Sequence, residues 1–339
     1  MRIFRHYETL PEDTWGAVVA IGNFDGVHPG HRAVIKEAGL IAHDSGHPWA
    51  VLTFEPHPRR LFQPDQPPFR LTPFRAKARL IEAMGVDILI VQRFNKAFSM
   101  LEAKDFVLGA LVKGINASHI VSGYDFVFGH NRSGHCDLLL AMGEKEGFGF
   151  TAVNAIKDET GEAYSSTRVR ERLMAGDPRG AAVVLGRDFE IEGRVIRGEK
   201  RGRGIGFPTA NLTLGGALRP MNGVYAVRVA VQEAPGEAAR PGVSPGNKKL
   251  GEARTGTKEE SDEEQWLPGV ANLGVRPTFG GDDIVLEVFL FDFDGDLYAK
   301  RLRVRLIDHL RPEKKFDGID DLKAQIALDS ARAKEILAA

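Results

Sequence analysis

The chain has almost no cysteine, almost no net charge and no long apolar run. Its 339 residues contain a single cysteine, Cys136, so no disulfide can form within it, which suits a reducing compartment. No nucleophile motif surrounds Cys136, and it reads as an ordinary filler residue. Lys and Arg number 45 against 46 Asp and Glu, a formal charge of -1. That balance provides no broad basic surface, so neither nucleic acid nor an anionic membrane is an expected partner. An anionic substrate must be held by local groups. No stretch approaches the ~18 apolar residues that span a bilayer. The opening Met1-Arg2-Ile3-Phe4-Arg5-His6 lacks the apolar segment and cleavage site of a secretory leader, and a cytoplasmic location is expected. Self-association leaves no signature, and no internal repeat is visible. At 43% hydrophobic and 27% charged, the chain has enough apolar residues for a sizeable core. Its length suits about two domains.

The two halves follow different patterns. In the first, apolar runs at 17–21, 49–54, 87–91, 119–121 and 150–153 read as strands. Between them lie helical stretches: one with Pro29 in its first turn, one opened by Thr72-Pro73 and ended by Gly85, one over 101–112 and one over 136–146. Alternating β and α units predict an α/β fold with a doubly wound parallel sheet, whose ligands sit beyond the carboxyl ends of the strands. Short helices at 167–175 and 179–185 close this half. After Gly186 the period changes to two, over 190–197, 224–231, 284–291 and 302–307. Short alternating strands with Gly-rich turns predict a mainly β domain, an antiparallel barrel, with a last helix over 319–337 packed outside it. The expected domains are therefore 1–186 and 187–339. Residues 232–264 are rich in Gly, Pro, Glu and Lys, poor in large apolar side chains, and read as a disordered insertion between two strands.

Two stretches carry chemistry. Gly22-Asn23-Phe24-Asp25-Gly26-Val27-His28-Pro29-Gly30-His31 joins the first strand to its helix. Gly22 and Gly30 allow close backbone approach, and the helix N-terminus offers N–H groups and a positive dipole end to phosphate. His28 and His31, three apart, can face one spot and stabilise charge on a transferring phosphoryl group without a covalent intermediate. A pair of polar turn residues and a zinc pair with Asp25 are the other readings. The Gly-x-x-x-x-Gly-Lys-Ser/Thr pattern of a P-loop is absent. The second stretch, residues 198–211, alternates glycines with basic and apolar residues and ends in Gly206-Phe207-Pro208-Thr209-Ala210-Asn211. Gly202, Arg203 and Gly204, with Lys200 and Arg201, can cradle phosphate. Thr209 and Asn211 supply hard oxygen ligands for Mg²⁺, or alternatively cap a turn.

The first stretch resembles the HxGH signature of nucleotidylyltransferases, and in its fuller form the bacterial bifunctional riboflavin kinase/FMN adenylyltransferase family. Phe54-Glu55-Pro56-His57-Pro58 matches that family's second motif. Residues 123–129, with Arg132 and Gly134, match its third. Ser165-Ser166-Thr167-Arg168 matches its helix-start motif. The resemblance implies that Gly22, Asn23, His28, Gly30, His31, Ser166, Thr167 and Arg168 hold ATP. It implies that Phe54, Pro56, His57 and Asp125 line the flavin side. Many members carry Asn at the position of Asp125, where a carboxylate can still accept a flavin N–H. In the second half, Gly206-Phe207-Pro208-Thr209-Ala210-Asn211 resembles the riboflavin kinase signature, and residues 269–279 and 286–298 match its later blocks. Here the resemblance implies Glu287 as the general base for the ribityl hydroxyl and Arg311 as a contact to the flavin or its phosphate. The implied activity is synthesis of FMN and then FAD from riboflavin and ATP, with Mg²⁺ in both steps. A riboflavin kinase with a degenerate first half and a non-catalytic flavin- or nucleotide-binding regulator are the rivals. The complete set of His28, His31, Thr167, Arg168, Asn211 and Glu287 argues against both.

Overall fold

A computed structural model describes residues 1–196, 207–232, 265–278 and 281–338. The insertion after Gln232 and the loop carrying Lys200, Arg201, Gly202, Arg203 and Gly204 lie outside the described residues. The chain divides into two compact units, Met1–Ser166 and Thr167–Ala339.

The first unit runs β1 (Arg2–Phe4), β2 (Val18–Ile21), α1 (Pro29–Ser45), β3 (Trp49–Glu55), α2 (Pro58–Phe62), α3 (Phe74–Glu82), β4 (Ile88–Arg93), α4 (Lys96–Ser99), α5 (Ala103–Phe106), β5 (His119–Gly123), α6 (Cys136–Glu146) and β6 (Gly149–Val153). Its six strands are parallel, in the order β1-β4-β3-β2-β5-β6. Every residue of β2 is buried, as a central strand covered on both faces requires. Val19 and Ile21 pack under Phe106, Leu111 and Leu139, while Val18 and Ala20 pack under Val34, Ile35 and Ala38 of α1. β1 was not foreseen. Three residues are too few to show a period.

Two local expectations change. Helix 101–112 is a short α5 followed by a π-helical stretch, Val107–Gly114. An added Cβ on Gly114 would lie 2.5 Å from the Tyr7 ring, so Tyr7 packs where a side chain would stand. The residue before α3 is Pro73, which offers no side-chain cap. Thr72 does not cap the helix. Its hydroxyl serves the loop after β2 instead, accepting from Gly26 N at 2.9 Å and donating to Asp25 Oδ1 at 3.3 Å.

The second unit begins with α7 (Ser166–Met174), apart from its first residue, and α8 (Pro178–Leu185). The change of secondary structure near Gly186 thus follows the change of packing. Arg179 of α8 pairs with Asp308 at 2.8 Å, and Met221 N bonds Leu173 O of α7 at 3.0 Å. Strands β7 (Phe189–Ile196), β8 (Ala210–Thr213), β9 (Gly223–Gln232), β10 (Trp266–Thr278), β11 (Gly281–Leu290) and β12 (Arg301–Arg311) close an antiparallel barrel in the order β10-β11-β8-β7-β12-β9. Strict alternation in β7 buries every second residue. Phe189, Ile191, Leu212, Val227, Leu273, Leu286 and Val304 are fully or nearly fully buried, and their strand pairings place them together inside the barrel. The insertion joins β9 to β10, which are paired neighbours.

The last helix, α9 (Ile319–Ala338), packs Ala333 and Leu337 on the outer barrel face against Val224, Ala226 and Val270. One ion pair anchors it. Arg311 donates from Nε to Asp329 Oδ1 at 2.9 Å and from a terminal nitrogen to Oδ2 at 2.7 Å. The Asp329 side chain is 7% exposed and that of Arg311 21%. Asp329→Ala should therefore destabilise the second unit by about 3 kcal/mol, the low end for breaking a buried pair because Arg311 keeps some water. Urea unfolding of the variant, showing a lower midpoint for that unit, is the check.

Candidate active sites

The loop after β2 is held in an unusual shape. Phe24 and Val27 adopt left-handed φ of 48° and 47°. Such conformations cost about 1–3 kcal/mol each outside glycine and persist where surroundings over-determine them. The surroundings here are polar and buried. The Asp25 carboxylate accepts from Leu71 N at 2.9 Å and Thr72 N at 3.0 Å, and Ser166 Oγ donates to Asp25 O at 2.6 Å. Asp25 is thus a backbone anchor, and the zinc reading of the histidine motif loses its third ligand. Among the described residues no group of three metal-ligating side chains occurs.

The same loop is tied from behind by a lysine. Lys77 of α3 is 1% exposed. Its Nζ donates to Asn23 O at 2.8 Å, Thr53 Oγ1 at 3.3 Å and Glu55 Oε1 at 3.3 Å. Arg70 also pairs with Glu55. Burial pushes the Lys77 ammonium below its ordinary pKa, with Glu55 and Asp25 opposing. Sequence reasoning passed over Lys77, although it lies one turn before the buried Ile81 on the apolar face of α3.

His28 caps α1. Its Nδ1 accepts from His31 N at 3.3 Å, with Pro29 following as the first helical residue. An accepting Nδ1 leaves Nε2 to carry the ring proton. The two imidazoles stack at 3.6 Å between centroids, 20° from parallel. A Cβ on Gly30 would stand 3.2 Å from the His28 ring, so glycine makes room for that stack.

Two cavities open at the carboxyl ends of the strands. One, of ≈ 430 Å³, lies where strand order reverses between β2 and β5 and is lined by Gly22, His28, Gly30, His31, Asp125 and Ser166, among others. Crevices at such switch points are where open α/β sheets bind ligands. The other, of ≈ 650 Å³, is lined by Phe54, Phe62, Phe94, Phe98, Phe126 and Phe128, with His57 and Arg59. Neighbouring rings sit 5.5–6.0 Å apart in Phe54–Phe94, Phe94–Phe98 and Phe126–Phe128. Asn23, Phe126, Val127 and Arg132 border both cavities.

The expected residues distribute between the cavities with some differences. Gly22, Asn23, His28, Gly30, His31 and Ser166 come together on the first, and Phe54 and His57 on the second. Pro56, joined to Glu55 by a cis peptide bond, borders neither. Asp125 borders the histidine-lined cavity and not the aromatic one. Thr167 and Arg168 follow Ser166 in α7 and belong to the second unit. The aromatic cavity itself was not foreseen beyond Phe54.

In the barrel, Asn211 pairs with Glu287 across β8 and β11, and Glu287 with Asn272 across β11 and β10. Directly opposed residues share a face, so these three form a polar row. The next row, Leu212, Leu286 and Leu273, is fully buried inside the barrel, which puts the polar row on the outer face. Asn211 is buried, and its Oδ1 has no hydrogen-bond partner among the described residues. Thr209 borders a small cavity of ≈ 60 Å³ with Pro208, Asp296 and Tyr298, which Asn211 does not line. The expected ligand contact of Arg311 meets a competing fact, since Asp329 occupies its guanidinium. Glu313, unremarked in the sequence, accepts from Asn222 Nδ2 at 3.2 Å and crowds Gly274, where an added Cβ would meet it at 2.0 Å.

Comparison with known proteins agrees with this division. Residues 10–168 match the FAD synthetase family model and residues 185–337 the riboflavin kinase model. The bifunctional riboflavin kinase/FMN adenylyltransferase of Escherichia coli K12 is 39% identical over 320 residues, 94% of this chain and 92% of that one. The protein of the same description from Pseudomonas fluorescens is 38% identical over 339 residues, 100% of this chain and 98% of that one. A solved structure titled a macrolide-efflux protein from Streptococcus pneumoniae superposes with a TM-score of 0.77 at 28% identity, covering 96% of each chain. Efflux is that title's word for that protein, and no described helix here is long and apolar enough to cross a membrane. With an FAD synthetase domain followed by a riboflavin kinase domain and near full-length relatives above 30% identity, the chain belongs to the bifunctional riboflavin kinase/FMN adenylyltransferase family.

Proposed function

We propose that the chain makes FAD in two steps: the barrel phosphorylates riboflavin with ATP, and the α/β unit adenylates the resulting FMN with a second ATP. The observation that carries the second step is the shared wall of the two cavities, bordered by Asn23, Phe126, Val127 and Arg132. The aromatic cavity offers stacking surfaces and volume for a flat tricyclic ring. The histidine-lined cavity offers a helix N-terminus and two imidazoles for a nucleotide's phosphates. A flavin phosphate held in one and an ATP α-phosphate held in the other meet at that wall.

There, an oxygen of the FMN phosphate attacks the α-phosphorus, a new O–P bond forms, and the bond to pyrophosphate breaks. His28 and His31 stabilise the charge that develops on the transferring group, with the His28 ring oriented by its Nδ1 contact to the helix cap. Gly22, Gly30 and Ser166, with Thr167 and Arg168, complete the nucleotide contacts. Phe54 and His57 contact the flavin, and Asp125 faces the phosphate-side cavity.

In the barrel, Glu287 takes the proton of the ribityl 5′-hydroxyl as it attacks the γ-phosphorus, and ADP leaves. Mg²⁺ fits the donors present: the Oδ1 of Asn211, buried and without a partner among the described residues, is a hard oxygen, and Thr209 supplies another. When bound, the ion neutralises phosphate charge. Gly202, Arg203 and Gly204 are proposed to cradle that phosphate. Arg311 is proposed to act through α9, which its pair with Asp329 holds on the barrel. Both reactions are proposed to run in the cytoplasm on small-molecule substrates alone.

Purified protein incubated with riboflavin, ATP and Mg²⁺ should form FMN first and FAD afterwards, as separated by chromatography. His28→Ala or His31→Ala should lower FMN adenylation by about 10²–10³-fold, the scale of losing a charge-stabilising group, while FMN formation continues. Glu287→Gln should lower FMN formation by about 10²–10⁴-fold, the scale of general-base catalysis, and leave adenylation of supplied FMN intact. Loss of both activities from either change, in folded protein, would contradict two separate sites.

A further inference from the structure

We infer that Lys77 is a positioning residue for adenylyl transfer, holding the Asn23 backbone at the wall between the two cavities. The inference rests on reading that wall as the place where FMN meets ATP. An ammonium group has three protons to donate, and the three acceptors here are Asn23 O at 2.8 Å, Thr53 Oγ1 at 3.3 Å and Glu55 Oε1 at 3.3 Å. Thr53 Oγ1 itself lies 3.2 Å from Asn23 O, so one carbonyl receives two donors.

This is a costly way to fill an interior. A charge 1% exposed loses its hydration, and an apolar side chain of similar volume packs there without that loss. Stability alone therefore does not call for lysine at this position. Its charge balances that of Glu55, which also pairs with Arg70, and its reach ends at Asn23. Asn23 is followed by Phe24, whose left-handed φ of 48° turns the chain toward His28. The Lys77 bond thus fixes the peptide from which the strained loop departs. Asn23 borders both cavities, so a shift of this peptide changes how the two phosphates face each other. It leaves the phenylalanine walls of the flavin cavity in place, because those come from β3, α2 and the segments after β4 and β5.

The test is Lys77→Met in the full chain, assayed for adenylation of supplied FMN. The expected kcat falls about 10²-fold, the scale of a 1 Å misplacement of reacting groups. The KM values for FMN and ATP should stay within about threefold of wild type, because binding contacts are retained. Riboflavin phosphorylation by the same sample should be unchanged, and quenching of FMN fluorescence should show that the first unit still binds flavin. An adenylation kcat within about threefold of wild type, or a loss seated in KM, overturns the proposal. Should Lys77→Met bind no FMN, Thr53→Val decides: it removes one donor to Asn23 O and one acceptor for Lys77 at nearly constant volume. About a tenfold loss in kcat is expected of it, the worth of one hydrogen bond, and an unchanged kcat overturns the proposal. Wild-type protein that fails to adenylate FMN would instead count against the reading of the site itself.

Discussion

Asp25 is the residue on which the first site depends. A buried carboxylate accepts two backbone N–H bonds and a hydroxyl from residues 71 and 72, and its own carbonyl accepts from Ser166. Those bonds offset the desolvation of the charge and hold the chain through two left-handed residues between β2 and α1. The helix start, the stacked histidines and the edge of the aromatic cavity all follow from where this loop is held. A side chain that looks from its neighbours like a ligand is here a bracket, and its partners come from a segment some 46 residues away.

The barrel solves a different problem with a simpler device. Strand alternation sends Leu212, Leu286 and Leu273 inward and leaves Asn211, Glu287 and Asn272 in an adjoining row outside. A one-residue slip in register would exchange the two rows, so the packing of the interior also sets the orientation of the polar groups. The last helix, α9, packs on part of the barrel's outer face, and Arg311 pairs with Asp329 in the middle of that helix. The closed barrel leaves no free sheet edge among the described strands, so all six serve the same small core.

The two units build their candidate sites by unlike means. The first uses a helix N-terminus and a crevice at a point of strand reversal, a solution open to any doubly wound sheet. The second sets oxygen donors on neighbouring strands. Each unit has its own buried core and its own candidate site, which is why substitutions in one are expected to leave the other's reaction running.

Much of this was written in the order of residues. Alternation of strand and helix, then of inward and outward side chains, is a local property of the chain, and it determined both fold classes and nearly every element longer than five residues. The histidine motif and the Thr209-Ala210-Asn211 segment stood out for the same reason, since each is a short run of fixed spacing, whereas Glu287 was singled out only by resemblance to the riboflavin kinase family. β10 was not legible, because Pro268, Gly269, Gly274 and Pro277 interrupt its alternation, and neither were the three- and four-residue pieces, which have too few residues to show a period. Only the tertiary structure decided what meets across distance. It turned Asp25 and Thr72 into anchors, brought Lys77 under Asn23, gathered phenylalanines from four segments into one cavity, placed Asp125 on the histidine-lined cavity and engaged Arg311 with Asp329. Spacing along a chain carries information about neighbours within a turn or a strand. Contacts between residues dozens of positions apart arise only when the sheet order and the barrel closure place them side by side.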